Sequence, residues 1–439
     1  MNNFILSVLV ENLRNNIKVF DSNNGKVQEY GPSYEDLGDY LPILIYYKKF
    51  DIIEEELYKV IDSLEKNKYI YRNEGKGLIK YFTRCYSQTD LLWGLILYSR
   101  DSDKYKRNLE VLALKCYERF IKKSFSFIVA SHLPFTNIVM PDKLMAKYNI
   151  FSSDDHGMFI EIYSKIFEIT GDSVFLDIAE DIANRLFFSP MFNKNDFLPF
   201  YNSENSILKL LMSNINGFKK RESEFQLVKQ NSNAMFGLYS LAKFDDKYKE
   251  KFNHIVNDWI KRFFNEEDAV FYTNYKIKTR EKSSDLMVFH MIELLILAEK
   301  TDVAQKIADS YLVYQSSTTG LLPFFHPKVH QELKRMKLSP DDSWLDAEID
   351  FGVALVKLYA KTNNKKYLTA AKLINKGVEQ FHRKACGFAS VVSIDNGEIR
   401  NPIYSTKMTA LVAKLSIAIE NCDSLSVYDS PLSELLQDR

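Results

Sequence analysis

Apolar residues recur along this chain in two alternating patterns. One kind of segment is apolar around most of its circumference, as in DLLWGLILYS and DFGVALVKLYA. The other keeps charges on one face, as in IIEEELYKVIDSLEK. Apolar spacing of three and four residues predicts helices in both. The first kind suits a helix covered on several sides, the second a helix with one face in water. The unit is a polar loop, an apolar inner helix, a short break and an amphipathic outer helix. SYEDLGDYLPILIYYKKF with DIIEEELYKVIDSLEKN, SSDDHGMFIEIYSKIFEITGD with SVFLDIAEDIANRLF, and DSWLDAEIDFGVALVKLYAKTNN with KKYLTAAKLINKGVEQF are clear instances.

Inner helices are expected to begin near Ser33, Ser87, Ser152, Asn231, Ser283, Asp342 and Tyr404, in steps of roughly 50 to 80 residues, longer than simple solenoid repeats. The last inner helix, YSTKMTALVAKLSIAIEN, has no outer partner after it, and the first helix, from Asn3 to Val19, has no inner partner before it. Pairing these two would close a ring and remove the apolar end faces that an open array must cap. The expectation is an all-α (α/α) toroid, or double α-barrel, of about seven helical hairpins, with six as the alternative. It would fill residues 1–422 as one domain, and a polar tail would follow over 423–439. Runs such as GKVQEYGPSY, GLIKYFTRCY, GLLPFFHPKVH and GFASVVSIDNG precede inner helices, so short strands should gather at one mouth.

Composition narrows the class. Fifteen Gly and eleven Pro in 439 residues argue against an all-β fold full of tight turns. Lys+Arg and Asp+Glu both number 58, so the chain lacks the broad basic field of a nucleic-acid binder. Cys85, Cys116, Cys386 and Cys422 form no CxxC pair and read as free buried thiols. The apolar stretch Phe4–Val10 is short, has no preceding Lys or Arg, and runs straight into Glu11, so it reads as a helix start rather than a signal peptide. No stretch approaches the roughly 18 apolar residues of a membrane span. A cytoplasmic protein away from membranes is expected, its oligomeric state left open.

The inner-helix starts collect polar groups at the loop mouth. They offer Tyr34, Glu35, Asp36 and Asp39; Asp90 and Trp93; Asp154, Asp155 and His156; Asn231; Asp285; Trp344, Asp346, Glu348 and Asp350; and Tyr404 and Lys407. Helix capping accounts for many first-turn acids. It accounts less well for Asp346 and Asp350, four apart within an apolar segment, or for Glu35 and Asp39 at the same spacing. Such acids must face a wet cavity or pair with a cation or a backbone loop. Carboxylates beside aromatics in a wet cavity suit a saccharide, and two of them can cleave a glycosidic bond. Asp346 is thus a candidate catalyst, with Glu35, Asp36 and Glu348 in reserve. Tyr34, Asp39, Asp90, Trp93, His156, Asn231, Trp344, Asp350 and Lys407 are candidates to bind or orient the sugar. No Walker loop, GxGxxG, HExxH or GxSxG occurs, so no cofactor is expected and no metal ligands are assigned, an oxygen-ligated cation being left open.

The segments EIYSKIFEITGDSVFLDIAEDIANRLF and DFGVALVKLYAKTNNKKYLTAAKLINKGVEQF resemble (α/α)-toroid carbohydrate-active enzymes, in which an apolar helix ends in TGD or TNN before a Tyr- or Leu-led outer helix. That group includes glycoside hydrolases, unsaturated glucuronyl hydrolases, polysaccharide lyases and N-acylglucosamine 2-epimerase-like isomerases. The resemblance implies a sugar site at the loop mouth. Asp155 of SSDDHG matches an inner-helix aspartate of the glucuronyl hydrolases, which makes Asp155 and Asp346 the leading acid–base pair of a glycoside hydrolase. The epimerase-like enzymes imply a two-histidine proton shuttle, for which His156 and His290 on inner helices, or His326 and His330 on a loop, are available. A sugar epimerase, a lyase with His or Tyr as proton carrier, and a non-catalytic toroid that binds a glycan or a protein are the alternatives.

Overall fold

The computed structural model describes residues 2–14, 19–21, 26–28, 37–67, 85–101, 103–118, 153–187, 192–193, 196–197, 225–276, 282–329, 339, 341–385 and 387–423. Its helices are α1 (Asn2–Arg14), α2 (Leu37–Tyr46), α3 (Phe50–Asn67), α4 (Cys85–Asp101), α5 (Lys106–Cys116), α6 (Ser153–Thr170), α7 (Ser173–Phe187) and α8 (Val228–Leu241). They continue as α9 (Asp246–Phe263), α10 (Phe289–Leu297), α11 (Thr301–Leu312), α12 (Leu345–Thr362), α13 (Lys365–Gly377) and α14 (Thr406–Glu420).

One turn chemistry joins inner to outer helices. After α6 the chain steps through Gly171 at φ 71°, and after α12 through Asn363 at φ 54°. This left-handed residue ends the helix, its N–H donating back to Phe167 O in one case and Tyr359 O in the other. The threonines before them, Thr170 and Thr362, bond back to Ile166 O and Leu358 O. Their hydroxyls also accept from the N–H of Asp172 and Asn364. Asp172 and Asn364 then cap α7 and α13 by accepting from Val174 N and Lys366 N. The sequence words TGD and TNN are therefore two spellings of one hairpin turn. Lys48 and Glu299 occupy left-handed positions after α2 and α10.

The helices form two concentric layers. Among the described residues α2 packs on α4, α4 on α6, α6 on α8, α8 on α10, α10 on α12, α12 on α14, and α14 back on α2. Outside them, α3, α5, α7, α9, α11 and α13 each pack on the inner helix that precedes them. Helix α1 covers α14, so the first and last helices close the ring. The burial patterns match these places. On α12 Leu345, Ala347, Ile349, Phe351, Val353 to Val356 and Leu358 are all buried. On α9 only Tyr248, Phe252, Ile255, Val256, Trp259 and Phe263 are, which makes one apolar stripe. Helices α6 and α8 approach most closely: a Cβ on Gly157 would lie 2.1 Å from Asn233 O, and one on Gly237 2.5 Å from Gly157 O. Only glycine lets the two backbones touch there.

Strands lie in the connections that lead into inner helices. Asp342–Trp344, Gly387–Ser393, Ile399–Ser405, Val19–Asp21 and Lys26–Gln28 form an antiparallel sheet in that order. It ties together the connections that enter α12, α14 and α2. Phe225–Leu227, Asn274–Lys276 and Lys282–Ser283 do the same before α8 and α10. The expected mouth strands are present in GKVQEYGPSY and GFASVVSIDNG, whereas Leu321–Pro327 holds no strand and makes a single bridge from Phe325 to Asp285. Some inner starts differ from the expected ones. Asn231 lies inside the first turn of α8, Tyr404 is in a strand, and the cap before α10 is Asp285, which accepts from Met287 N. Ser33, the segment 68–84 and the tail beyond Asp423 fall outside the described residues. No described helix is long and apolar enough to cross a membrane. Cys116 and Cys422 are free and buried; the side chain of Cys85 and the whole of Cys386 are outside the description.

Candidate site in the lumen of the ring

A helix jacketed by outer helices and by two inner neighbours can meet solvent in mid-length only along the side that faces the ring axis. The half-buried residues of the inner helices mark that side. On α8 they are Asn233 and Phe236, Tyr239 instead packing on Phe252 of the outer helix α9 at 5.2 Å, and leading into and along α10 they are Met287, His290, Glu293 and Leu297. Both sets recur every three or four residues, which is one helix face. Met158 and Glu161 on α6, Trp93 on α4, Asp346 and Asp350 on α12, and Lys407 and Lys414 on α14 complete the stripe. Half-buried polar and aromatic residues of the inner helices therefore gather on the side that faces the ring axis.

Ion pairs brace the inner ring, and two of them join a lysine of one inner helix to an acid of the inner helix before it. Lys414 Nζ on α14 lies 2.8 Å from Asp350 Oδ1 on α12. Lys357 Nζ on α12 lies 3.0 Å from Glu293 Oε1 on α10. Lys243, just after α8, lies 3.2 Å from Glu168 Oε1 on α6, and Lys165 holds the other oxygen of Glu168 at 3.2 Å.

The sequence candidates take different places. Glu348 sits beneath the mouth rather than in the lumen. It is fully buried; Leu322 N–H donates to its Oε1 and Ser343 Oγ to its Oε2, each at 3.0 Å. Burial pushes its carboxyl up to about 8, against the smaller opposing effect of those two donors. It ties the loop at Leu322 and the strand at Ser343 to the first turn of α12. Asp346 is half-buried and accepts from Ala347 N at 2.9 Å. Asp350 is held by Lys414. Trp344 is half-buried, stacks on Phe324 at 4.6 Å, and its indole N–H finds no acceptor among the described residues. Trp93 and Lys407 are half-buried on the lumen stripe, while His156 and Asn231 are buried off it. Asp39, Asp90 and Asp155 lie on α2, α4 and α6 with side chains outside the description, and Tyr34, Glu35 and Asp36 are wholly outside it.

The histidines separate in the same way. His290 is half-buried on the inward stripe of α10, its ring 4.1 Å from Phe289 and 6.2 Å from Phe236 and both its ring nitrogens buried. His326 is a core group: it is fully buried edge-on to Tyr311 at 4.7 Å, and burial pulls its pKa down to about 4. His330 is outside the description. Sequence reasoning passed over Glu161, Phe236, Glu293 and Lys414. The signal was available for two of them, since Glu293 lies three residues after His290 and Lys414 seven after Lys407, each on the same helix face. Among the described residues no group of three or more His, Cys, Asp or Glu side chains could hold a metal ion.

Two concentric layers of helices, closed end to end, define an (α/α) toroid. Solved structures share it. A D-mannose isomerase is 10% identical with a TM-score of 0.54, the match covering 95% of this chain and 97% of that one. A cellobiose 2-epimerase from Bacillus thermoamylovorans is 11% identical with a TM-score of 0.52, over 95% of this chain and 100% of that one. A possible member of family GH105 from Klebsiella pneumoniae is 10% identical with a TM-score of 0.50, over 100% and 93%. No protein-family model and no curated protein matches the sequence.

Proposed function

We propose that this chain is a carbohydrate-converting enzyme that moves a proton at a sugar carbon, an epimerase or isomerase, with residues 1–422 as its catalytic unit and His290 as proton carrier. The observation that carries this reading is the place of His290 on the inward stripe of α10, half-buried between Phe289 and Phe236 with its ring nitrogens shielded and Glu293 one turn on. An imidazole there can take the proton from the carbon next to the carbonyl of an open-chain sugar. Returned to the neighbouring carbon on the same face as a hydroxyl proton moves across, that proton completes an isomerisation; an epimerisation needs a second acid that protonates the same carbon from the opposite face. The similar folds include a D-mannose isomerase and a cellobiose 2-epimerase, which agrees with such chemistry. Trp344 and Trp93 offer apolar faces for the ring, and His156 supports the site from its buried place on α6.

Glycoside hydrolysis is the second reading. It is favoured by Asp346, a half-buried carboxylate on the same stripe, with Asp155 on α6 across the ring as its partner. Hydrolysis needs two carboxylates that can act on the bond. Glu348 and Asp350 are already committed to a loop and to Lys414, which weighs against a supply of spare acids.

The two readings separate in heavy water. Mannose, glucose, N-acetylglucosamine and cellobiose are incubated with the full chain, and carbon-bound deuterium is followed by NMR. The first reading expects deuterium at one sugar carbon and a loss of about a hundredfold or more in His290→Asn. Release of a new reducing end without deuterium, abolished in Asp346→Asn and retained in His290→Asn, would replace it with the second.

A further inference from the structure

The outer layer of the ring carries its charge unevenly. Helix α13 holds Lys365, Lys366, Lys372 and Lys376 and no acid. Helix α3 holds six acids against two lysines. No other described outer helix departs as far from neutrality in either direction. On α13 Lys365, Thr369, Lys372 and Lys376 are all exposed at spacings of four, three and four, which is one helix face. Leu373 lies beside them, 43% exposed. Lys366 is held by Asp309 at 2.7 Å, but Lys365, Lys372 and Lys376 form no ion pair among the described residues. On α3 Asp51, Glu55 and Tyr58 are exposed at the same spacing of four and three, and Tyr58 is 68% exposed. We propose that the chain pairs with a second copy of itself across α1, the lysine face of α13 in each copy meeting the acidic face of α3 in the other.

The places of the two faces in the ring make the pairing reciprocal. Helix α13 packs on α12, α1 on α14 and α3 on α2, and α12, α14 and α2 follow one another in the inner ring. Helices α13 and α3 therefore flank α1 in the outer layer. A two-fold axis running along α1 sets α13 of one copy opposite α3 of the other, and the same operation supplies the reverse contact. Each contact joins lysines to acids and brings Leu373 towards Tyr58, an apolar centre with a charged rim. One short helix face is too small for a stable interface. Two of them with α1 between can approach the roughly 1,200 Å² that one needs. The charge pattern also selects the partner. An anionic membrane would suit α13 but be repelled by α3, whereas a second copy carries both signs in the matching arrangement.

The test uses the full chain. Sedimentation equilibrium should find a dimer in about 50 mM salt whose dissociation constant rises at least about tenfold in about 1 M salt. Lys372→Glu/Lys376→Glu should weaken the dimer at least about a hundredfold, and Asp51→Lys/Glu55→Lys should do the same. An equimolar mixture of these two variants should form a mixed dimer, because each offers the charge the other lacks. Tyr58→Ala should weaken the dimer with no change of charge. Circular dichroism melts check that each variant is folded; should the α3 charge variant not fold, the α13 variant and Tyr58→Ala carry the test. A wild type that stays monomeric at about 100 μM overturns the inference. So does a dimer that a folded Lys372→Glu/Lys376→Glu leaves unchanged. A monomer that binds phosphatidylglycerol vesicles, and loses them in the same α13 variant, overturns it as well and gives this face to a membrane.

Discussion

Glu348 shows how one residue can read as catalytic in the sequence and serve another purpose in the fold. Its unfolded carboxyl titrates near 4.5 and its folded one at about 8. Between those values the native state holds a proton that the unfolded chain has released, so stability is full below pH 4.5 and falls as pH rises toward 8. Glu348→Gln should remove that slope from a plot of unfolding free energy against pH. Glu348→Ala should cost about 3 kcal/mol near pH 6, because Leu322 N–H and Ser343 Oγ lose their buried acceptor and a void remains. Two histidines act in the opposite direction. His326 and His382 are buried with folded values lowered to about 4 from 6.5, so stability is lost as pH falls from 6.5 toward 4. Denaturant melts across pH 4 to 9 test both limbs.

At the scale of elements, the inner-to-outer turn was legible because its chemistry is local. A left-handed residue followed by an Asn or Asp cap needs only neighbours in sequence, and TGD and TNN spell it twice. Lys48 fills the same position with a poorer residue at φ 53°. Lys48→Gly should therefore raise stability by about 1 kcal/mol, seen as a higher melting temperature. The close contact of α6 with α8 was not legible, since no spacing rule singles out Gly157 and Gly237 among the chain's glycines. Gly157→Ala would push a methyl to 2.1 Å from a backbone oxygen that cannot rotate away. It should cost about 3 kcal/mol and disturb the mouth at the adjacent His156, as read by chemical denaturation.

At the scale of the whole molecule, ring closure depends on α1, whose Ile5 and Leu9 are buried while it covers α14. Leu9→Ala should lower stability by about 3 kcal/mol, as much as a core substitution in mid-chain, because no end of this ring is a free terminus. The alternation of apolar and amphipathic helices, the pairing of first with last, and the strands before inner helices all follow from the order of polar and apolar residues. Burial of apolar area acts on every residue alike, so pattern alone determines which helices go inside. Which polar groups share the lumen was decided by the tertiary structure. Asp346, Glu348 and Asp350 lie within five positions of one another, yet they meet half-exposed solvent, a buried backbone N–H and a lysine from another helix. A carboxylate's fate depends on the few groups within hydrogen-bonding reach, and those come from distant parts of the chain that only the closed ring brings together.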